Sequence, residues 1–368
     1  MADDPTAPTA RTAPTLTDGT VTLRAHRPDD AQGSFEQCQD PLSQAWTTVP
    51  VPYTHEMAVG FVTEMMPQGW VDDREWGFAV EHEGQYAGTV SLRNEGDGRA
   101  EIAYGSHPRV RGTGAMERAL RLLLRWGFEE QGLQTVIWWA NRGNWASRRL
   151  AWRVGFSFDG TVRQWLPQRG ELLDAWVGTL HRDQSPGPRT VWLDCPTLAG
   201  DGVHLRPMDE RDVPRIVEAC SDPRTLEWLS FLYPQPFTEE SGRGVVSAST
   251  ELRASGKGVT WAVTGDDDVM SGWLGFFGLR PGVVAELGYW AHPAARGRGL
   301  TTRAAALALG HARDRLGLQH VRARIAVGNA ASQHVVETLG FEHTGVERLG
   351  ADMADGSRVD LAIYDLAL

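Results

Sequence analysis

The stretch Ala100-Glu-Ile-Ala-Tyr-Gly-Ser-His-Pro-Arg-Val-Arg-Gly-Thr-Gly114 returns as Ala285-Glu-Leu-Gly-Tyr-Trp-Ala-His-Pro-Ala-Ala-Arg-Gly-Arg-Gly299, every paired position 185 residues apart. The same offset joins Gly132-Leu-Gln134 to Gly317-Leu-Gln319, Asn144 to Asn329, Ser147 to Ser332 and Gly155-Phe156 to Gly340-Phe341. The chain is therefore two copies of one folding unit. A length of 368 residues gives each copy enough apolar side chains for its own core.

The first 15 residues carry Pro, Thr and Ala without apolar periodicity, which predicts a disordered tail over 1–15. The fold is expected over 16–183, then a linker rich in turn formers at 184–190, then the second copy over 191–368. Each copy opens with an alternating strand, Val21-Thr-Leu-Arg24 or Val203-His-Leu-Arg206. Helices follow with little similarity between copies, Trp46 to Met66 and Leu226 to Leu252. Three strands come next, the third being the Ala-Glu-x-x-Tyr strand. A long helix then starts at the glycines, with an expected inward stripe of Ala115, Ala119, Leu122, Leu123 and Trp126, or Leu300, Ala304, Leu307, Ala308 and His311. A strand, a short helix from Asn144 or Asn329 and two last strands complete each copy. The fold class is α+β, with a mixed, mostly antiparallel twisted sheet flanked by helices in each copy.

A formal net charge of -11 argues against a protein that wraps nucleic acid by counterion release. It suits either a cationic substrate or solubility alone. No apolar run approaches the roughly 20 residues of a membrane span. The first residues lack a basic start and an apolar stretch, so a cytoplasmic location is expected. Cys38, Cys195 and Cys220 are too few and too far apart for a disulfide framework or a metal site, and no metal is expected.

Arg109-Val-Arg111-Gly112-Thr113-Gly114, with Ala115 opening the helix, is placed between strand and helix. So is Ala294-Ala-Arg296-Gly297-Arg298-Gly299, with Leu300. Free N–H groups and the positive end of the helix dipole meet there, which suits a pyrophosphate; a plain tight turn is the other reading. A Walker A loop is excluded because no Gly-Lys-Ser/Thr follows. A dinucleotide fingerprint is excluded because Glu117 or Thr302 stands at the third glycine.

These residues resemble the GNAT acetyltransferases. The Arg-x-x-Gly-x-Gly turn after an Ala-Glu-x-x-Tyr strand, then Asn-x-x-Ser and Gly-Phe, is most similar to the ribosomal-protein alanine N-acetyltransferase (RimJ/RimL) branch. The resemblance implies two tandem GNAT-like domains that bind acetyl-CoA as acyl donor, with its pyrophosphate on 111–115 or 296–300 and its pantetheine arm along the Glu-bearing strand. Two departures stand out. Ala294 replaces the first arginine of the turn, and Ala151 and Val336 occupy the place where many members carry a tyrosine acid.

Acetyl transfer to an amine needs a neutral nitrogen, and amines titrate near pH 8 to 10. Glu101 and Glu286 are either general bases with pKa values raised by desolvation or edge carboxylates facing water. Ser147 and Ser332 either protonate the leaving thiol or bond within their own helices. Asn144 and Asn329 cap those helices and, by the resemblance, contact pantetheine. His107 and His292 precede prolines and read as turn structure. Trp46, Tyr53, Trp228, Phe231 and Tyr233 fall where the family places its acceptor pocket. The expected function is acetyl-CoA-dependent N-acetyltransfer to a primary amine, on a small molecule or a protein N-terminus. The alternative is a non-catalytic acyl-CoA-binding or sensory protein. Oligomerisation is left open.

Overall fold

The computed structural model describes residues 12–368 apart from Ser230, Phe231, Pro234 and Ala354, so most of the expected tail lies outside the described residues. The chain divides into two compact units, Met1–Arg189 and Thr190–Leu368. The expected linker residues just before that division pack on the first unit, where Arg189 Nε donates to the Gly155 carbonyl at 3.1 Å and the Pro186 carbonyl accepts from Arg121.

In the N-terminal unit the strands are β1 (Leu16–Thr17), β2 (Val21–Arg24), β3 (Glu75–His82), β4 (Gln85–Gly96), β5 (Arg99–Ser106), β6 (Thr135–Asn141), β7 (Gly160–Gln168) and β8 (Glu171–His181). They form one eight-stranded sheet in the order β1-β2-β3-β4-β5-β6-β8-β7. The helices are α1 (Asp30–Gln39), α2 (Pro41–Trp46), α3 (His55–Gly60), α4 (Met66–Val71), α5 (Ala115–Glu129) and α6 (Trp145–Arg153), with a π-helical turn at Phe61–Met65 between α3 and α4. The C-terminal unit repeats the plan with β9 (Leu198–Gly200), β10 (Val203–Arg206), β11 (Val259–Thr264), β12 (Met270–Arg280), β13 (Val284–Ala291), β14 (His320–Ala326), β15 (Glu342–Asp352) and β16 (Arg358–Ala367). Its helices are α7 (Val213–Ser221), α8 (Pro223–Leu229), α9 (Glu239–Ala254), α10 (Leu300–Asp314) and α11 (Ala330–Thr338). Two mixed, mostly antiparallel sheets flanked by helices are what the repeat predicts.

Local chemistry sets the register. Glu83-Gly84, Asp97-Gly98 and Arg169-Gly170 all have positive φ at both positions, the two-residue hairpin turn whose twist matches the strands it joins. One ladder in each sheet is parallel. β5 pairs with β6 from Arg99↔Thr135 to Ile102↔Trp138, and β13 with β14 from Val284↔His320 to Glu286↔Arg322. Beyond those positions the two strands pair only with their outer neighbours, so the sheet splays open between them.

Side-chain alternation separates the faces. Leu92, Ile102, Val136 and Trp138 turn into one core with α5. Gly77 and Gly105 turn to the other face, where Met66 and Gln37 from the α1–α4 layer lie against them. The expected stripe of α5 is buried throughout, and Trp126 meets Trp70, Trp76 and Phe78 edge-on or tilted with centroids 5.3–5.6 Å apart. On α10 the buried set is Ala304, Ala305, Ala308, Leu309 and Ala312, so Leu300, Leu307 and His311 flank the stripe instead of forming it. Small alanines let that helix sit close to its sheet, and His311 fills the place of Trp126 with its ring edge-on to Trp261 at 5.7 Å. All three cysteines are free and buried. No described helix is long and apolar enough to cross a membrane.

Candidate active site

The strand of the parallel ladder leads through a short 3-10 turn, Pro108–Val110 or Pro293–Ala295, into the glycine turn, so β5 and β13 each link a carboxylate to a helix N-terminus. Gly112 and Gly114 have φ of 79° and 84°, and Gly297 and Gly299 have 74° and 68°. A side chain would be strained in this left-handed conformation. Nothing lies within 4 Å of where a Cβ would stand on Gly112, Gly114 or Gly297, so the turns face open space. Among the described residues the N–H groups of Gly112, Gly114, Met116 and Glu117 have no hydrogen-bond partner, nor have those of Gly297, Arg298, Gly299, Leu300, Thr301 and Thr302. The Ala115 N–H is met by Thr113 Oγ1 at 3.3 Å. Each turn therefore presents several free donors at the positive end of a 15-residue helix.

The turn arginines do different work. Arg111 Nη2 donates to Asp40 Oδ2 at 2.6 Å and to Ser43 Oγ at 3.1 Å. Arg296 does the same to Asp222 at 2.6 Å and Thr225 Oγ1 at 2.8 Å. Each ion pair ties the turn to the start of α2 or α8. The Arg111 guanidinium also holds the Asp40 carboxyl below the ordinary carboxylate range. Arg109 donates to the Tyr86 carbonyl at 2.6 Å. Arg298 and Leu300 instead line a cleft of about 360 Å³ with Ser271, Arg303 and the Gly265–Asp267 turn.

Glu101 lies on the last paired stretch of β5, beside Ile137 across the ladder, with its side chain 27% exposed. Arg93 Nη1 donates to it at 2.8 Å. Burial raises its pKa above the usual carboxylate value, and Arg93 offsets only part of that. Glu286 sits at the same place on β13 but accepts from Arg324 Nε at 3.0 Å, and the same guanidinium reaches Glu347 at 3.3 Å.

On the opposite face the serines meet tyrosines. Ser147 Oγ lies 2.8 Å from the Tyr104 hydroxyl, and the Trp138 indole N–H donates to both oxygens, at 2.9 Å to Tyr104 and 3.1 Å to Ser147. Ser332 Oγ donates to Tyr289 Oη at 3.0 Å, with Ala323 in place of the indole. Burial pushes both phenols up to about 12, so both stay protonated near neutrality. Asn144 and Asn329 accept from the Ser147 and Ser332 N–H groups at 3.1 Å and cap α6 and α11.

The acetyltransferase (GNAT) domain signature matches residues 20–157 and 203–342. The chain belongs to the GNAT acetyltransferase family. Solved acetyltransferase structures each match a little under half of the chain. A GNAT-family acetyltransferase from Bacillus anthracis is 18% identical, with a TM-score of 0.42 over 46% of this chain and 100% of its own. A putative acetyltransferase from T. thermophilus is 24% identical, with a TM-score of 0.42 over 48% of this chain and 92% of its own. RimL, a ribosomal L7/L12 alpha-N-protein acetyltransferase solved with coenzyme A, is 21% identical, with a TM-score of 0.43 over 47% of this chain and 98% of its own. No curated protein matches the chain significantly.

Within this GNAT pair, Ala151 and Val336 are buried in the cores. Tyr104 and Tyr289, which the sequence reading used only as motif letters, bring phenols to the serines from the strand instead. Their recurrence at one offset was the available signal. Asp40 and Asp222 were also missed; each opens an Asp-Pro helix start in both copies. Trp46 and Trp228 lie against the Gly143 and Gly328 turns, while Tyr53 and Tyr233 are buried; Phe231 lies outside the described residues. His107 and His292 are turn structure, each accepting from an N–H two residues on and pairing with Glu36 or Glu218.

Proposed function

We propose that the chain transfers the acetyl group of acetyl-CoA to a primary amine, and that the N-terminal unit carries most of the turnover. One observation supports this reading above the rest. β5 places a desolvated carboxylate, Glu101, beside the opening between β5 and β6, and the same strand leads to the free N–H groups at 112–117. Open space over the glycines fits a diphosphate, and the unpaired edge of Ala103–Ser106 fits an arm bearing amides. Arg298, at the mouth of the cleft in the C-terminal unit, adds a cation to that unit's turn.

Bound acetyl-CoA supplies an acetyl group on a thioester, which passes to the amine nitrogen while the sulfur leaves as the thiol. Glu101, ionised, takes the amine proton directly or through a water. The Tyr104 hydroxyl donates to the Ser147 carbonyl at 3.1 Å and the Trp138 indole N–H donates to both hydroxyls, so Ser147 can donate its proton outward to the leaving sulfur. A thiol pKa near 8.5 asks little of that donor. Such chemistry belongs where thioesters are abundant, and we place the protein in the cytoplasm. The C-terminal unit suits the alternative of binding without turnover, because Arg324 ties Glu286 to Glu347 of β15, whereas Arg93 offsets only part of the burial that raises Glu101.

Thiol release from acetyl-CoA, followed with DTNB on the full chain across a panel of primary amines, tests the reading. Steady release supports the enzyme. Saturable acetyl-CoA binding with no release from any amine supports the acyl-CoA-binding alternative.

A further inference from the structure

The face that carries Glu101 also carries a pair of indoles. Trp139 lies two residues beyond Ile137, the ladder partner of Glu101, and therefore projects from the same face about 7 Å further along the strand. Its ring stacks on Trp165 of β7, with centroids 5.8 Å apart and planes 30° apart. Trp165 is 55% exposed. A large exposed aromatic is the informative departure from ordinary burial, since covering such a ring removes apolar area from water.

This wall is held in place. The hairpin of β7 and β8 is bonded to the segment around α2, with Gln168 Nε2 donating to the Ala45 carbonyl at 2.9 Å and Arg169 Nη2 to the Val49 carbonyl at 3.2 Å. Asn141 Nδ2 also donates to Gln168. The ring pair therefore stands at a fixed distance from the carboxylate. Along the row Glu75, Arg93 and Glu101, two carboxylates outnumber one guanidinium, which favours an ammonium arriving at the Glu101 end.

The other copy lacks these features. At the 185-residue offset Arg322 replaces Ile137, Arg324 replaces Trp139 and Gly350 replaces Trp165. Those arginines pair with Asp365, Glu286 and Glu347. A folding role common to both units would not call for indoles in one and an ion-pair lattice in the other.

We propose, resting on the acetyl-transfer reading above, that the acceptor of the N-terminal unit is a primary amine bearing a flat aromatic body, seated on Trp139 and Trp165 with its nitrogen towards Glu101. Ring stacking supplies orientation, and a short alkyl chain spans the interval to the carboxylate. Cation–π attraction also draws the ammonium form to the indoles before it is deprotonated.

The test uses the full chain with acetyl-CoA and four defined amines: phenethylamine, tryptamine, butylamine and spermidine. Thiol release is expected to show kcat/KM at least about tenfold higher for the two aryl amines than for butylamine. The double variant Trp139→Ala/Trp165→Ala should bring that ratio close to one, and Trp165→Phe should restore most of it. Saturation-transfer NMR of phenethylamine ring protons, which needs no turnover, should show transfer to the native chain and none to the double variant. Preference for butylamine or spermidine, or an aryl ratio unchanged in the double variant, overturns the proposal and leaves acetyl transfer standing. No release from any amine together with no ring transfer overturns the proposal along with the acetyl-transfer reading.

Discussion

Glu101 is where the chemistry meets the physics of burial. Its pKa is raised in the fold, so the protonated form is favoured there; the associated stability is present below the unfolded value near 4.3 and is lost as pH rises through the folded value. Activity runs the other way, because a base must be ionised. The acid limb of the kcat/KM profile should therefore rise at a pH above that of an ordinary carboxylate. Glu101→Gln should remove the limb and lower kcat about 100-fold or more, whereas Glu286→Gln should leave most of the turnover. A second residue tests the fold. Burial holds the His26 pKa down to about 4, so the stability it confers is full above pH 6.5 and is lost as pH falls towards 4. The loss is on the order of 2–3 kcal/mol, and chemical denaturation of the native chain and of His26→Asn at pH 7 and pH 4.5 should show it only in the former. Arg24 and Asp30 form a buried ion pair at 2.8 Å, repeated by Arg206 and Asp212. Asp30→Ala, which removes the buried partner of Arg24 and leaves its guanidinium with Glu81 at 2.7 Å alone among carboxylates, should cost about 3 kcal/mol in the same measurement.

At the scale of elements, the glycine turn and its helix form one device, and its backbone sets it apart from an ordinary loop. Gly112→Val forces a branched side chain into φ near +79° at a strain of about 1–2 kcal/mol and fills the open space above the turn. Calorimetric titration should find acetyl-CoA affinity lost in the N-terminal unit and kept in the C-terminal one, with Gly297→Val giving the mirror result. This device was legible in the sequence because its residues are contiguous and repeated. Its bracing was not. Arg111 meets Asp40 across 71 residues of chain, and Tyr104 meets Ser147 across 43, so no local spacing announces either contact. The helical layer was legible least. Asp40 and Asp222 differ by 182 positions, Thr54 and Thr238 by 184, and Trp76 and Trp261 by 185, so the repeat slips within this layer. There α3, a π-helical turn and α4 in one copy correspond to the unbroken α9 in the other. Surface segments absorb such insertions at little cost, which hides the repeat within this layer.

For the molecule as a whole, duplication yields two sheets with separate cores and unequal sites. Core positions survive the comparison of copies with small changes, such as Trp126 against His311. The positions around the carboxylates change in character, from Ile137, Trp138 and Trp139 to Arg322, Ala323 and Arg324. Because each unit buries its own core, the polypeptides 12–189 and 190–368 should each unfold cooperatively when expressed alone, as circular dichroism melts would show. Thiol release should follow the first of them. Underneath every one of these expectations lies the claim that the glycine turns and the splayed ladders hold acetyl-CoA. A crystal of the full chain soaked in acetyl-CoA measures this directly. A diphosphate is expected on the N–H groups of 112–117, with a thioester beside the end of the β5–β6 ladder near Glu101. Crevices left vacant at saturating acetyl-CoA, or a thioester bound away from β5, would contradict it.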